Sequence, residues 1–279
     1  MASSREAALE LAQFLRSRRE RTSPQDAGLV LAGRRRTPGL RREEVAILAG
    51  LSTTWYTYLE QGRGREVSPS VLDSIARVLR LTEDERRYIH TLAYGTVLGA
   101  PPDDGPRYDA ETVDALKQIV ASMDSYPYPV YMVDHVINMM AWNKAASTWY
   151  DDWGRFPEAE RNFLSWLITS QRAREICVDW EDVALEIIAR WRLQLAKIPP
   201  QKDVTDFIQS LHSRSPLFTS WWDEHDVREH RVSLRRLRHP QHGVQLMRVV
   251  YLKISQGELP AVVFHLPQVT LLRPGNTER

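Results

Sequence analysis

The chain has 279 residues, 43% hydrophobic and 26% charged, ordinary proportions for a globular protein long enough to bury two cores. A single cysteine, Cys177, excludes an internal disulfide framework and fits a reducing cytosol; no apolar run approaches the roughly 18 to 20 residues that span a bilayer. The net charge of +1 hides an asymmetry: the first 95 residues hold sixteen arginines, no lysine and twelve acidic residues, a balance of +4, against −3 for the remainder. Clusters at Arg16, Arg18, Arg19, Arg21 and at Arg34, Arg35, Arg36 sharpen it, as neutralisation of phosphates requires. The N-terminus has no signal-peptide pattern, and a cytoplasmic location is expected.

Ala7 to Arg21 predicts a first helix, with Ala8, Leu11, Ala12 and Leu15 as its apolar stripe. Thr22 to Thr37 contains Pro24, Gly28 and Gly33 and predicts a long loop. From Leu40 to Gly62 two short amphipathic helices break at Gly50, the second opening at Ser52. That is the layout of a helix-turn-helix, whose second helix enters the major groove. Val45, Ala46 and Ala49 share one face of the first helix, and Gly50 supplies the positive φ of the turn. Leu51, Trp55 or Tyr56, and Leu59 are expected in the core, which leaves Thr53, Thr54, Thr57 and Tyr58 facing out. Ser68 caps a fourth helix with Pro69 at its first position, and Thr82-Glu83-Asp84-Glu85 is a capping box opening a fifth. Residues 1–95 therefore predict an all-α five-helix domain.

Residues 96–108, with Pro101, Pro102, Gly105 and Pro106, predict a linker. A helix from about Asp109 to Ser125 follows, with Val113, Leu116, Val120 and Met123 on one side, free to pack on the second domain or to pair with another subunit. Val130 to Val133 and Val136 to Trp142, separated by Asp134-His135, predict a β-hairpin. Helices are expected over Asn143 to Tyr150, Phe163 to Thr169, Trp180 to Lys197, Val204 to His212 and Phe218 to His225. Three strands close the chain, Arg231 to Arg238, Val244 to Ile254 and Leu259 to His265, with turns at His239 to Gly243 and at Gln256-Gly257. Two strands, a helical block and three antiparallel strands are the order of a PAS-like α+β domain, here residues 109–270, with a tail at 271–279. Such a domain has a five-stranded antiparallel sheet with helices over one face.

The motifs carry a resemblance. Glu43-Glu44-Val45-Ala46, Gly50-Leu51-Ser52 and Leu59-Glu60-Gln61-Gly62 resemble the Xre-like helix-turn-helix family. Arg34-Arg35-Arg36-Thr37-Pro38-Gly39-Leu40 narrows this to MmyB-like regulators. In the second half Ala141-Trp142-Asn143-Lys144-Ala145-Ala146, Ser213-Arg214-Ser215-Pro216, His225-Asp226-Val227-Arg228 and Arg238-His239-Pro240 resemble the ligand-binding domain of the same regulators. The resemblance implies base-edge contacts from Thr53, Thr54 and Tyr58, with a phosphate contact from Arg42. Thr57 completes the outward face, and Arg35 and Arg36 are the further DNA-contacting candidates. Thr and Tyr carry less base information than Gln, Arg or Asn at such positions, so the operator stays open.

For the second domain the resemblance implies an apolar small molecule, long-chain fatty acids being the leading class. Met132, Met140, Trp142, Leu167, Trp191 and Trp222 are the candidate lining. Arg172 and Arg228 are candidates for a head group, alongside Arg174 and Lys144. A homodimer on double-stranded DNA is expected, with no cofactor and no membrane partner. The alternative is that the C-terminal half serves only dimerisation or protein docking. Enzyme readings find little support: there is no nucleophile elbow, Walker loop or Cys-x-x-Cys, and nothing completes a zinc site around His239 and His242. For His225-Asp226 a structural hydrogen bond and a cap or turn role are expected.

Overall fold

The computed structural model describes residues 2–29, 39–63, 67–94, 110–198, 201–227, 233–253 and 260–268. They belong to two compact units, Met1–Asp104 with Glu186–Glu229, and Gly105–Leu185 with His230–Arg279. The expected linker at 96–108 and tail at 271–279 lie outside the described residues.

The first unit opens with α1 (Ala2–Arg21), which contributes Leu11, Phe14 and Leu15 to the core. Helices α2 (Arg42–Ala49) and α3 (Thr53–Leu59) follow. Gly50 caps α2 at φ 72°, and the Leu51 N–H returns to the Ala46 carbonyl at 2.8 Å, so the break falls where a left-handed residue was required. Just before α2, Gly39 passes so close to α1 that a Cβ would sit 2.2 Å from the Glu20 carbonyl oxygen. Helix α4 (Pro69–Val78) is capped by Ser68. In α5 (Glu83–Tyr94) the Thr82 N–H donates to Glu85 and the Glu85 N–H to the Thr82 hydroxyl, the expected reciprocal box. Val45, Tyr56, Leu72, Ile75 and Ile89 are wholly buried between these helices.

Part of α10 (Trp180–Leu195), with α11 (Lys202–Arg214) and α12 (Pro216–Asp223), belongs to this first unit. The linear reading places these helices with the sheet. Their apolar faces instead meet one another, Trp191 against Phe207 and Trp222, while Leu193 and Val227 join the core of α1–α5.

The second unit is a five-stranded antiparallel sheet in the order β2-β1-β5-β4-β3. Its strands are β1 (Val130–Val133), β2 (Met139–Trp142), β3 (Ser233–His239), β4 (Gly243–Lys253) and β5 (Ala261–Pro267). Strand β2 starts three residues later than the apolar run predicts. The Asp134 carboxylate accepts the Val136 and Asn138 N–H groups, and Ile137 takes φ 66°, so the segment turns before it extends. Helix α6 (Ala110–Ser122) lays Val113, Leu116 and Val120 on Val130, Met132 and Val262. Tyr131, next to Met132, points to the other face and stacks on Phe163 at 5.4 Å between ring centres. That face carries the helical block of α7 (Lys144–Trp149), α8 (Phe163–Thr169) and α9 (Gln171–Ile176). Helix α9 is too short for its periodicity to show in the sequence.

Asn143 joins the hairpin to α7. It is wholly buried, and its Oδ1 accepts the Val130 and Ala146 N–H groups at 3.0 and 2.9 Å. Its Nδ2 donates to the carbonyls of Met123 and Tyr128, both at 3.0 Å. One amide thus caps a helix and satisfies a strand and the turn before it. Asn143→Ala is expected to cost about 2–4 kcal/mol, since it leaves several buried backbone groups without partners. Urea unfolding read by tryptophan fluorescence measures this, and a loss below about 1 kcal/mol would contradict the assignment.

Candidate nucleic-acid interface and sensor interior

Ser52 opens α3 by accepting the Trp55 N–H on its hydroxyl at 3.2 Å. The helix then buries Tyr56 and Leu59, which turns Thr53, Thr54 and Tyr58 outward; Tyr58 is 49% exposed. Thr57 is half-buried, and its hydroxyl donates back to the Thr53 carbonyl at 2.8 Å. Arg42 stands at the start of α2 with its Nε donating to Glu60 at 2.7 Å. The Glu60 side chain is wholly buried, and Arg19 donates to its other oxygen at 2.6 Å. A buried carboxylate at the end of α3 therefore ties α1 and α2 together and aims Arg42. Arg35 and Arg36 lie outside the described residues.

A second polar cluster was not legible from local pattern. Glu10 of α1 accepts the Tyr88 hydroxyl at 2.7 Å and an Arg192 Nη1 hydrogen, with His225 Nδ1 at 3.3 Å. Arg192 is almost wholly buried, donates also to the Trp222 carbonyl and lies 3.8 Å over the Trp222 ring. Burial alone would raise the Glu10 carboxyl. The His225 hydrogen bond, the charges of Arg192 and His225 and the Tyr88 hydroxyl together bring it down to about 2. Nearby, Arg18 pairs with Glu85 at 2.7 Å and Asp226 at 3.0 Å, and Arg21 with Asp226 at 2.9 Å. Asp226 is thus an ion-pair partner rather than a cap, while His225 has the structural role expected of it.

In the sheet unit the inner face packs aromatic rings: Tyr131, Tyr150, Phe163, Trp153 and Trp166. Polar groups run through this apolar block. His265 is wholly buried; its Nδ1 lies 3.1 Å from the Pro129 carbonyl and its Nε2 2.6 Å from the Tyr150 hydroxyl. Because a carbonyl can only accept, the Nδ1 carries the proton and Tyr150 donates to Nε2. Burial, then the Arg235 charge, push His265 well below its ordinary value, and burial raises Tyr150, so both stay neutral. Arg235, 1% exposed, donates to the Tyr251 hydroxyl at 2.7 Å. Sequence reasoning passed over Arg235; the available signal was its position in phase with Ser233, Leu237 and His239, the inward residues of β3.

The candidate lining residues do not form one cluster. Met132 and Met140 pack on the α6 face. Leu167 is buried within α8, and Trp142 pairs in register with Tyr131, beneath the Arg161 guanidinium. Trp191 and Trp222 belong to the first unit. Arg172 is partly exposed and donates through Nε to the Tyr150 carbonyl, Lys144 is solvent-facing beside Asp124, and Arg174 lies over Trp180. Arg228 lies outside the described residues.

A helix-turn-helix with its outward helix exposed, followed by a sheet domain with a separate aromatic interior, defines a DNA-binding regulator that carries a sensing domain. Residues 10–89 match a helix-turn-helix domain, and residues 113–267 match the MmyB-like transcription regulator ligand binding domain. The second match covers more than half of the chain, which belongs to the MmyB-like transcription regulators. No curated protein matches it. Among the described residues no helix is long and apolar enough to cross a membrane, and no group of three or more His, Cys, Asp or Glu is placed to hold a metal ion.

The Glu10 cluster has a pH signature. Because its carboxyl is lowered from 4.5 to about 2 on folding, ionised Glu10 stabilises the fold above pH 4.5, and this contribution is lost as pH falls toward 2. Glu10→Gln is expected to be less stable at pH 7 and to approach the wild type between those limits. Urea midpoints at a series of pH values test it; parallel curves for the two proteins would contradict it.

Proposed function

We propose that this regulator binds its operator as a homodimer and that a long-chain fatty acid, held in the aromatic interior of the sheet unit, modulates that binding. The observation that carries the ligand class is a buried cation within an apolar block. Of the five arginines buried among the described residues, Arg235 alone belongs to the sheet unit. It is accompanied by the hydroxyls of Tyr150 and Tyr251. A guanidinium beside the Tyr251 hydroxyl suits a carboxylate head, and the buried Phe163, Leu167 and Val249 of the same unit offer apolar surface to a chain. Arg235 replaces Arg172, Arg174 and Lys144 as the favoured head-group partner, because those three are at least partly exposed or already stacked.

On the DNA side Thr53, Thr54 and Tyr58 are assigned to base edges, with Thr57 beside them and Arg42, Arg35 and Arg36 on phosphates. One such helix reads a half-site, and specific affinity normally takes two, near 34 to 36 Å apart. The coupling element is α10, whose first residues belong to the sheet unit and whose later ones, with Arg192, are tied to Glu10 of α1. A ligand shifts operator affinity only through its differential affinity for two states, an effect of about 1 to 3 kcal/mol.

Native mass spectrometry of freshly purified protein tests the ligand. A co-purified fatty acid is expected in the wild type and is expected to be lost from Arg235→Met. A clean apo mass with no stabilisation by long-chain acids would favour a C-terminal half that only dimerises or docks. For DNA, Thr53→Ala or Tyr58→Ala is expected to erode discrimination among operators more than overall affinity; equal losses on every sequence would sink direct readout. Arg42→Ala is expected to lower the salt slope of binding by roughly one ion, and an unchanged slope would leave Arg42 as the partner of Glu60 alone.

A further inference from the structure

We infer that the outward face of β3–β5, together with the exposed ridge of α6, is the surface through which two copies of this chain associate. The inference rests on the homodimer reading above and supplies its interface. In an antiparallel sheet with one solvated face, outward positions are normally polar. Here Leu234, Val244, Leu246, Leu252 and Leu266 point outward and remain 38–54% exposed. They are not scattered. The register sets Leu234 opposite Arg248 and Arg248 opposite Leu266, with Arg236 opposite Leu246 and Arg238 opposite Val244. The result is a contiguous strip in which aliphatic side chains alternate with guanidinium groups, too apolar for an ordinary solvated face.

The other half of the same face is covered by α6, which buries Val113, Leu116 and Val120 on the β1 and β5 side. Its outer side presents Glu111, Asp114 and Ile119, the last 47% exposed, with Lys117 3.8 Å from Asp114. With Arg236 paired to Asp179, Arg238 and Arg248 supply the charge of the leucine-rich strip, beside a helix ridge of net charge −1 that carries an isoleucine of its own. A two-fold axis between these halves makes the surface self-complementary. Each α6 lies across the partner's β3–β4 strip, with Glu111 and Asp114 toward Arg238 and Arg248 and Ile119 among the leucines. A second copy of the chain suits this face better than an anionic surface does, because such a surface would attract the strip and repel the ridge next to it. The half-site requirement of the DNA-reading helix independently calls for two copies.

Sedimentation velocity of the full chain over a concentration series tests the inference. The wild type is expected to dimerise. Leu234→Glu/Leu246→Glu, at exposed positions where the fold does not need the leucines, is expected to raise the dimer dissociation constant at least about tenfold with an unchanged far-UV circular dichroism spectrum. Asp114→Arg is expected to weaken the dimer, and adding Arg248→Glu to restore part of the loss. A wild-type dimer whose dissociation constant ignores both sets of substitutions overturns this interface while leaving the homodimer reading intact. A wild-type chain that stays monomeric overturns both. Binding of the wild-type monomer to anionic vesicles, lost in the double leucine variant, would assign the face to a lipid surface instead.

Discussion

Arg192 carries a charge into the interior of the first unit, where an unpaired guanidinium would cost several kcal/mol. Glu10 offsets that cost, and it does so from the first helix of the chain, 182 residues away. The pair is completed by Tyr88 on α5, by His225, and by the Trp222 ring and carbonyl. Around this charge α1, α5, α10 and α12 must all be in place at once. Leu193 and Val227 can then join the core of the helix-turn-helix, and the segment from 186 to 229 becomes part of the DNA-reading unit. Helix α10 thus belongs at one end to the sheet unit and at the other to the first unit.

A parallel logic organises the reading head. Glu60 sits at the end of α3, wholly buried, with Arg19 and Arg42 on its two oxygens. That single carboxylate sets the first, second and third helices against one another, while Gly39 lets the chain pass against the backbone of Glu20 on its way into α2. Thr53, Thr54 and Tyr58 face solvent because Tyr56 and Leu59 are drawn inward by the same packing. The outward face of α3 is thus positioned by residues that do not belong to it.

The sheet separates two kinds of chemistry. Its inner face joins aromatic rings to a neutral histidine, two tyrosines and a buried arginine. Its outer face is divided between α6 and a strip of leucines and arginines. Period-two alternation places Met132 and Tyr131 on opposite sides although they are neighbours in the chain. The candidate lining residues are dispersed for this reason, and because α11 and α12 pack with the reader rather than over the sheet.

The sequence by itself determined the local features. The turn at Gly50, the caps at Ser52, Ser68 and Thr82, the outward set on α3, the five strands and most helix limits are written within a few residues of where they act. Backbone hydrogen bonding and short-range periodicity decide them, and both leave marks in sequence. The late start of β2 was less legible, because the apolar run continues through Val136 and Ile137 while the Asp134 carboxylate diverts the backbone. Only the tertiary structure decided the partners of Glu10, Glu60 and Asp226, the burial of Arg235, and the membership of residues 186–229 in the reading unit. Those outcomes depend on charges and side-chain volumes brought together across the chain. A buried ion pair is specified by where two elements meet, and no local pattern records that meeting.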